Sequence, residues 1–270
     1  MKPADFEYHA PQTLDALLAL LAEHGEEGKI LAGGQSLVPV MNFRLARPAR
    51  LFDLNGIAEL DFLRAENGTL RIGALTRHAA FHRPLVSGPT GKLLAQVVQY
   101  IAHYPIRQRG TFAGSIAHAD PASEWCVVAR LLEADIVARS RRGERRLKVA
   151  DYFHGTFATA LKPDEVITEV RLPLLDASWR TGFNEFSRRA GDFALAMTAV
   201  ALRMVGRKIT EARIAIGGVE DRPLRCAPAE AANAIAAAVR PMEDIHADAA
   251  YRKDLVRATT QRALDQALGA

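Results

Sequence analysis

Cysteine is nearly absent. Cys126 and Cys226 are the two in 270 residues, far apart and without a Cys-x-x-Cys spacing. Two thiols cannot hold an iron–sulfur cluster within this chain alone, and such sparse use fits a reducing compartment. Aromatic residues make up 7% and the formal net charge is a mild +4. No basic face is interleaved with aromatics, which argues against nucleic-acid binding. No run reaches the roughly 18 apolar residues needed to span a bilayer, so no transmembrane segment is expected. Met1-Lys2-Pro3-Ala4-Asp5-Phe6 lacks the apolar core of a secretory signal, and the expected location is the cytoplasm.

The common nucleotide and nucleophile signatures are missing too. There is no Gly-x-Gly-x-x-Gly, so the usual Rossmann fingerprint is excluded. Gly88-Pro89-Thr90-Gly91-Lys92-Leu93 imitates a P-loop, but its glycines are too close and Leu93 stands where a magnesium-binding hydroxyl belongs. Gly34-Gln35-Ser36-Leu37-Val38 is no nucleophile elbow, because Val38 replaces the second glycine. His78 and His82 have a zinc-pair spacing but no adjacent Glu and no third ligand, which favours a surface or core role. His118, Asp120 and Glu124 lack a partner cluster and read better as loop and cap residues.

What is present is a chain 49% hydrophobic, long enough for one large domain or two smaller ones. Strands are expected at Phe6–His9, Lys29–Leu31, Leu51–Leu54, Thr69–Ile72, Val166–Leu172 and Ile209–Ile216. Asn67-Gly68 marks a hairpin turn, and Ile136–Arg139 with Arg145–Val149 reads as a hairpin over Arg141-Arg142-Gly143. The basic run Arg139–Lys148 is most simply a solvated hairpin, or else a docking surface. Helices are expected after Thr13, over Thr76–His82, Lys92–Ala102, Ala122–Leu132 and Phe193–Met204, and over about 228–239 and 248–268. Short strands and helices without regular βαβ alternation favour an α+β fold.

Two segments carry chemistry. Ala32-Gly33-Gly34-Gln35-Ser36-Leu37 follows the apolar Ile30-Leu31. Adjacent glycines bare their N–H groups, and successive bare amides make a concavity for an anion such as phosphate. One such loop is a weak signal. A second, Thr111-Phe112-Ala113-Gly114-Ser115, again joins hydroxyls to permissive backbone, and Asp120-Pro121 reads as the N-cap and first residue of the next helix. A dinucleotide diphosphate needs holding from more than one side, and two loops can do that.

With both loops in view, the chain resembles the FAD-binding medium subunit of the molybdenum hydroxylases, the family of the carbon monoxide dehydrogenase and xanthine dehydrogenase flavoproteins. The segments are Leu31-Ala32-Gly33-Gly34-Gln35-Ser36-Leu37, Ile106 through Ser115, His118 through Glu124, and Arg188-Arg189-Ala190-Gly191-Asp192-Phe193-Ala194. The resemblance implies an α+β fold: a two-lobed FAD-binding domain of PCMH type over 1–175, with lobes of about 1–56 and 57–175, then a smaller α+β C-terminal domain over 176–270. It places Leu31, Ala32, Gly33, Gly34, Gln35, Ser36 and Leu37 on one side of the FAD diphosphate. Thr111, Ala113, Gly114 and Ser115 lie on the other. It places Asp120 and Glu124 near the cofactor's polar groups, and Ile101, Tyr104 and Asp192 near its flavin end. One residue departs from the family: Ala113 replaces the first glycine of a Thr-x-Gly-Gly loop, and would strain it if positive φ were needed.

The implied function is electron transfer. A large molybdopterin-binding subunit and a small [2Fe-2S] subunit would be partners, as a dimer of heterotrimers. FAD on this chain would take electrons from the clusters and pass them to an external acceptor. The resemblance requires no catalytic acid or base here, and no metal on this chain. The C-terminal Ala-rich helices and the basic hairpin are candidate docking surfaces. The alternatives are a stand-alone FAD-dependent oxidoreductase of the same fold, and an interaction subunit that has lost FAD, supported by Ala113 alone.

Overall fold

Leu14, Leu17, Leu18 and Leu21 recur at helical spacing, and they are the buried face of the first helix in the computed structural model, which describes residues 2–226 and 232–269. Strand β1 (Glu7–His9) precedes this helix, α1 (Leu14–His24), and β2 (Gly28–Leu31) follows it. The Thr13 side chain caps α1 by accepting from Ala16 N at 3.2 Å. Helix α2 (Leu37–Asn42) then leads to β3 (Arg50–Asp53). All three strands run parallel in the order β1-β3-β2. The first glycine loop therefore sits at the C-terminal end of β2, as α1 and α2 make the crossovers that parallel pairing demands.

The second lobe is a five-stranded antiparallel sheet with helices against it. Its strands are β4 (Leu63–Glu66), β5 (Thr69–Gly73), β6 (Asp135–Ser140), β7 (Gly143–Lys148) and, beyond the short pair β8 (Phe153–Gly155) and β9 (Ala158–Thr159), β10 (Val166–Pro173). Their order is β4-β5-β10-β6-β7. Asn67 and Gly68 both have positive φ, +48° and +73°, as a two-residue hairpin turn requires. Between β5 and β6 run α3 (Pro89–Val97), α4 (Tyr104–Arg107), α5 (Phe112–His118) and α6 (Glu124–Leu131). They close over Trp125, whose ring centroid lies 5.2 Å from Phe81 and 4.9 Å from Phe112. Three cations of the basic hairpin β6–β7 are paired: Arg145 with Glu165 at 2.6 Å, Lys148 with Asp135 at 2.7 Å, and Arg142 with Asp164, of which Asp164 and Glu165 lie just before β10.

The remainder is an antiparallel sheet, β11 (Trp179–Ser187), β12 (Ala194–Val205), β13 (Lys208–Gly217) and β14 (Leu224–Cys226), followed by α7 (Ala232–Ala238) and α8 (Ala249–Leu268). Strand β12 is central, and both its faces are covered. Ala196, Val200 and Leu202 face the core shared with α8, while Met197, Ala199 and Ala201 belong to the core shared with the preceding lobes. Thr198 Oγ1 meets Thr259 and Thr260 of α8 at 3.0 and 3.1 Å.

Several expectations are corrected. Phe193–Met204 is not a helix but most of β12. Its Ala, Leu and Met residues favour helix locally, yet burial between two layers overrides that weak preference. Thr76–His82 contains only a 3₁₀ turn, His78–His82, and the helix expected over Lys92–Ala102 is shifted to Pro89–Val97. The helix expected from Ala122 starts at Glu124 with Ser123 as its N-cap; Asp120 instead accepts from Ala122 N at 2.8 Å in an Asx turn. Of the helix expected over 228–239, positions 228–231 lie outside the described residues, and α7 occupies Ala232–Ala238. No described helix is long and apolar enough to cross a membrane.

Candidate cofactor site

The two glycine loops touch. A Cβ on Gly33 would lie 2.5 Å from the Arg109 carbonyl oxygen and 2.6 Å from Gly110 Cα. Gly34 has φ +71°, a conformation that L side chains resist. Glycine at 33 thus serves the close approach of the second loop rather than clearing room for phosphate directly. Beyond Gly34 the chain enters α2, whose opening leaves amides without intrahelical partners, and Gln35 and Ser36 are exposed there.

The second loop opens α5. Thr111 is the N-cap, its Oγ1 accepting from Gly114 N at 3.0 Å. Ala113 lies within the helix, is 2% exposed, and is not among the positive-φ residues. The strain expected from its methyl group is absent, because a helical turn needs no glycine there. Ser115 is partly exposed on the same turn, and its carbonyl holds Cys126 Sγ at 3.5 Å. Burial pushes the Cys126 thiol up to about 12, so it is inert.

Behind the loops, His78 is a core residue rather than a metal ligand. Its Nδ1 accepts from Trp125 Nε1 at 2.9 Å, and a Cβ on Gly110 would lie 2.5 Å from its Nε2. Burial drives its pKa down to about 3, with Arg77 and Arg107 adding repulsion, so the ring stays neutral.

Ile101 is buried and Tyr104 is 62% exposed. Arg107 Nη1 fixes this segment by donating to the Ile101 and Ala102 carbonyls at 2.8 and 2.9 Å. The turn carrying Asp192 packs on the same segment: a Cβ on Gly191, φ +86°, would lie 2.4 Å from His103 Cε1 and 3.0 Å from the Ala102 oxygen. Asp192 pairs with Arg189 at 3.4 Å. Residues from both halves of the chain therefore converge at this end.

Glu124 and Asp120 follow α5. Facing them is a residue that the sequence reading missed, Glu185 of β11. It pairs with Met197 in register, so it projects from the sheet face turned toward α6. Its Oε2 is buried and has no hydrogen-bond partner among the described residues. Burial raises the pKa of both Glu185 and Glu124; the Asp120 charge adds to the rise at Glu124, and the Glu124 charge adds to the rise at Glu185. Tyr100, whose ring meets Phe183 edge-on at 5.1 Å, is raised by burial and by Glu185. Nothing in the local sequence marked Glu185 or Tyr100; the lone signal was proximity to the Arg188–Ala194 segment. An orphaned buried carboxyl oxygen and a cradle of close-approach glycines suit a large polar ligand bearing a diphosphate.

Two glycine loops in contact, in an α+β chain without a Rossmann motif, define a candidate nucleotide-binding cradle. Comparison with known proteins specifies it further. Residues 4–175 match the FAD binding domain in molybdopterin dehydrogenase, and residues 181–234 match the CO dehydrogenase flavoprotein C-terminal domain. The carbon monoxide dehydrogenase medium chain of Hydrogenophaga pseudoflava is 35% identical over 99% of this chain and 98% of its own. The alpha subunit of the 6-hydroxypseudooxynicotine dehydrogenase complex of Paenarthrobacter nicotinovorans is 38% identical over 99% and 96%. The solved carbon monoxide dehydrogenase from Hydrogenophaga pseudoflava superposes with a TM-score of 0.93 at 35% identity, covering 100% of this chain and 99% of that one. Quinoline 2-oxidoreductase from Pseudomonas putida 86 gives 0.90 at 34% identity, with coverage of 100% and 99%. The chain belongs to the FAD-binding medium subunits of the molybdenum hydroxylase family. It is an oxidoreductase subunit with FAD as its cofactor.

Proposed function

We propose that this chain carries electrons from [2Fe-2S] clusters on a small partner subunit to an external acceptor, through an FAD held between its two loops. The contact between Gly33 and the Arg109–Gly110 backbone carries the reading, because it makes one two-sided cradle from loops distant in sequence. Ala32 to Ser36 and Thr111 to Ser115 grip the diphosphate with amides and hydroxyls. Leu31 and Leu37 flank the first loop. Asp120 and Glu124 meet polar groups of the cofactor. Ile101, Tyr104 and Asp192 border its flavin end.

FAD supplies the redox chemistry; the protein binds, orients and shields it. Two cysteines are too few for the four thiolates of an all-cysteine cluster. Clusters on another chain would then deliver the electrons, and relatives named as a medium chain or as a complex subunit agree with that. The partners are a large molybdopterin-binding subunit and the small cluster subunit, assembled as a dimer of heterotrimers in the cytoplasm. The FAD domain extends over 1–175 and the C-terminal domain over 176–270. Relatives named for carbon monoxide and for 6-hydroxypseudooxynicotine share this scaffold, so the substrate is chosen on the large subunit.

The purified complex tests this. Its flavin absorbance near ~450 nm should bleach anaerobically on adding substrate and return with an acceptor, while the chain alone should bind FAD yet stay oxidised. Bleaching of the isolated chain by an organic substrate would overturn the reading in favour of a stand-alone oxidoreductase.

A further inference from the structure

Between the loops lies a side-chain network that neither motif contains. Asn55, just past β3, donates from Nδ2 to the Ala32 carbonyl at 3.0 Å. Asp53 fixes Asn55, accepting from its backbone N at 2.9 Å and its Nδ2 at 2.5 Å, and Tyr8 hydroxyl donates to Asp53 at 2.5 Å. Arg77 completes the path. Its Nη2 donates to Asn55 Oδ1 at 2.5 Å, and its Nη1 donates to the Arg109 carbonyl. The Arg77 backbone is itself anchored beside the second loop. It forms an isolated β-bridge with Thr111, flanked by Phe112 N to Thr76 O at 3.1 Å and His78 N to Gly110 O at 2.9 Å. One guanidinium thus connects the first loop, through Asn55, to the Arg109 carbonyl at the entry to the second. The carbonyl it holds at Arg109 is the one that Gly33 abuts.

The charge also lacks a direct ion pair, with Asp61 and Asp53 acting on it only from a distance. Among the described residues, neither Arg77 nor the exposed Arg109 has a carboxylate within ion-pair distance, whereas Arg50, Arg71 and Arg171 in the sheets do. A partly buried guanidinium cannot shed its proton, so its charge calls for an anion.

We propose that Arg77 is a positioning residue for the diphosphate cradle: its planar fork locks the Ala32–Ser36 loop to the Thr111–Ser115 loop through Asn55 and the Arg109 carbonyl, and its unpaired charge favours a ligand bearing a diphosphate at their junction. This rests on the reading of the two loops as the FAD site. Lysine cannot replace it, since a point-like ammonium lacks the fixed fork.

The test measures binding of FAD, ADP and riboflavin by the full-length, flavin-free chain, alongside its Tm. Arg77→Gln is expected to weaken FAD and ADP alike, by about tenfold or more, as loss of charge-assisted hydrogen bonds does. Riboflavin, which has no phosphate, should bind as before, and the salt dependence of ADP binding should flatten. Arg77→Lys should restore the salt dependence but not the affinity. Asn55→Ala should weaken FAD similarly, and the double variant should lose little more than either alone, because one path is broken twice. Arg50→Gln, which cuts the Arg50 pairs with Glu7 and Glu27 at the far end of β3, should lower Tm without changing FAD affinity. FAD affinity of Arg77→Gln within twofold of the wild type would overturn the proposal. So would an equal loss for riboflavin, an equal loss in Arg50→Gln, or full recovery in Arg77→Lys. If the wild-type chain itself fails to bind FAD, the assignment of the loops fails instead.

Discussion

A methyl group at position 33 would stand 2.5 Å from the Arg109 carbonyl oxygen, so even alanine forces the loops apart. Gly33→Val is expected to weaken FAD binding by roughly ten- to a hundredfold, the equivalent of ~1–3 kcal/mol of overpacking, as read from flavin content after purification. Ala113 behaves in the opposite way. Although the resemblance implies a glycine there, Ala113→Gly is expected to lower stability by about 1 kcal/mol through helix propensity, leaving FAD affinity unchanged; thermal unfolding and flavin titration check the two halves. The difference shows what a sequence discloses. Ala-Gly-Gly-Gln-Ser and Thr-Phe-Ala-Gly-Ser are legible because a backbone that must come close writes small residues at fixed places. Arg77, Asn55 and Glu185 were not legible. Each is one polar residue in an ordinary stretch, and its meaning arises from a neighbour tens of residues away.

At the level of elements, α1 and the β6–β7 hairpin follow local rules and were read from spacing and turn chemistry. Strand β12 did not follow them. Its alternation is hidden because small residues occupy both faces: Ala196 and Thr198 on one, Ala199 and Ala201 on the other. The reason is close approach. On neighbouring β11 a Cβ at Gly182 would lie 2.0 Å from the Ala263 carbonyl oxygen of α8. Gly182→Ala is expected to destabilise the chain by about 1–3 kcal/mol, since backbone rather than a flexible side chain must yield. Denaturant unfolding measures it, and an unchanged midpoint would contradict the packing.

The whole molecule joins its two halves across a seam where Glu124 and Glu185 lie together, both raised above the ordinary carboxylate value near 4.5 by burial, with Asp120 adding to Glu124 and Glu124 adding to Glu185. The folded chain therefore keeps protons that the unfolded chain has released. Its contribution to stability is full below that ordinary value and is lost as pH rises through the raised range. Tm should fall from about pH 5 to about pH 9, and Glu185→Gln should flatten that fall, with roughly 2–4 °C gained at the alkaline end per kcal/mol recovered. Calorimetry across pH decides it; a parallel fall in the variant would place the dependence elsewhere.

Strand β12 carries two inventories in alternate positions: Ala196, Thr198, Val200 and Leu202 for α8, and Met197, Ala199 and Ala201 for the seam. Because the period is two, inserting or deleting a single residue would exchange them outright, sending Thr198 and Leu202 against the flavoprotein lobe and Met197 against α8. Substitutions here are local injuries, whereas a change of length inverts the strand. Length variation among sister chains should consequently be barred from Ala194–Leu202 and be free to collect at the exposed Gly206 turn, where an added Cβ meets nothing within 4 Å.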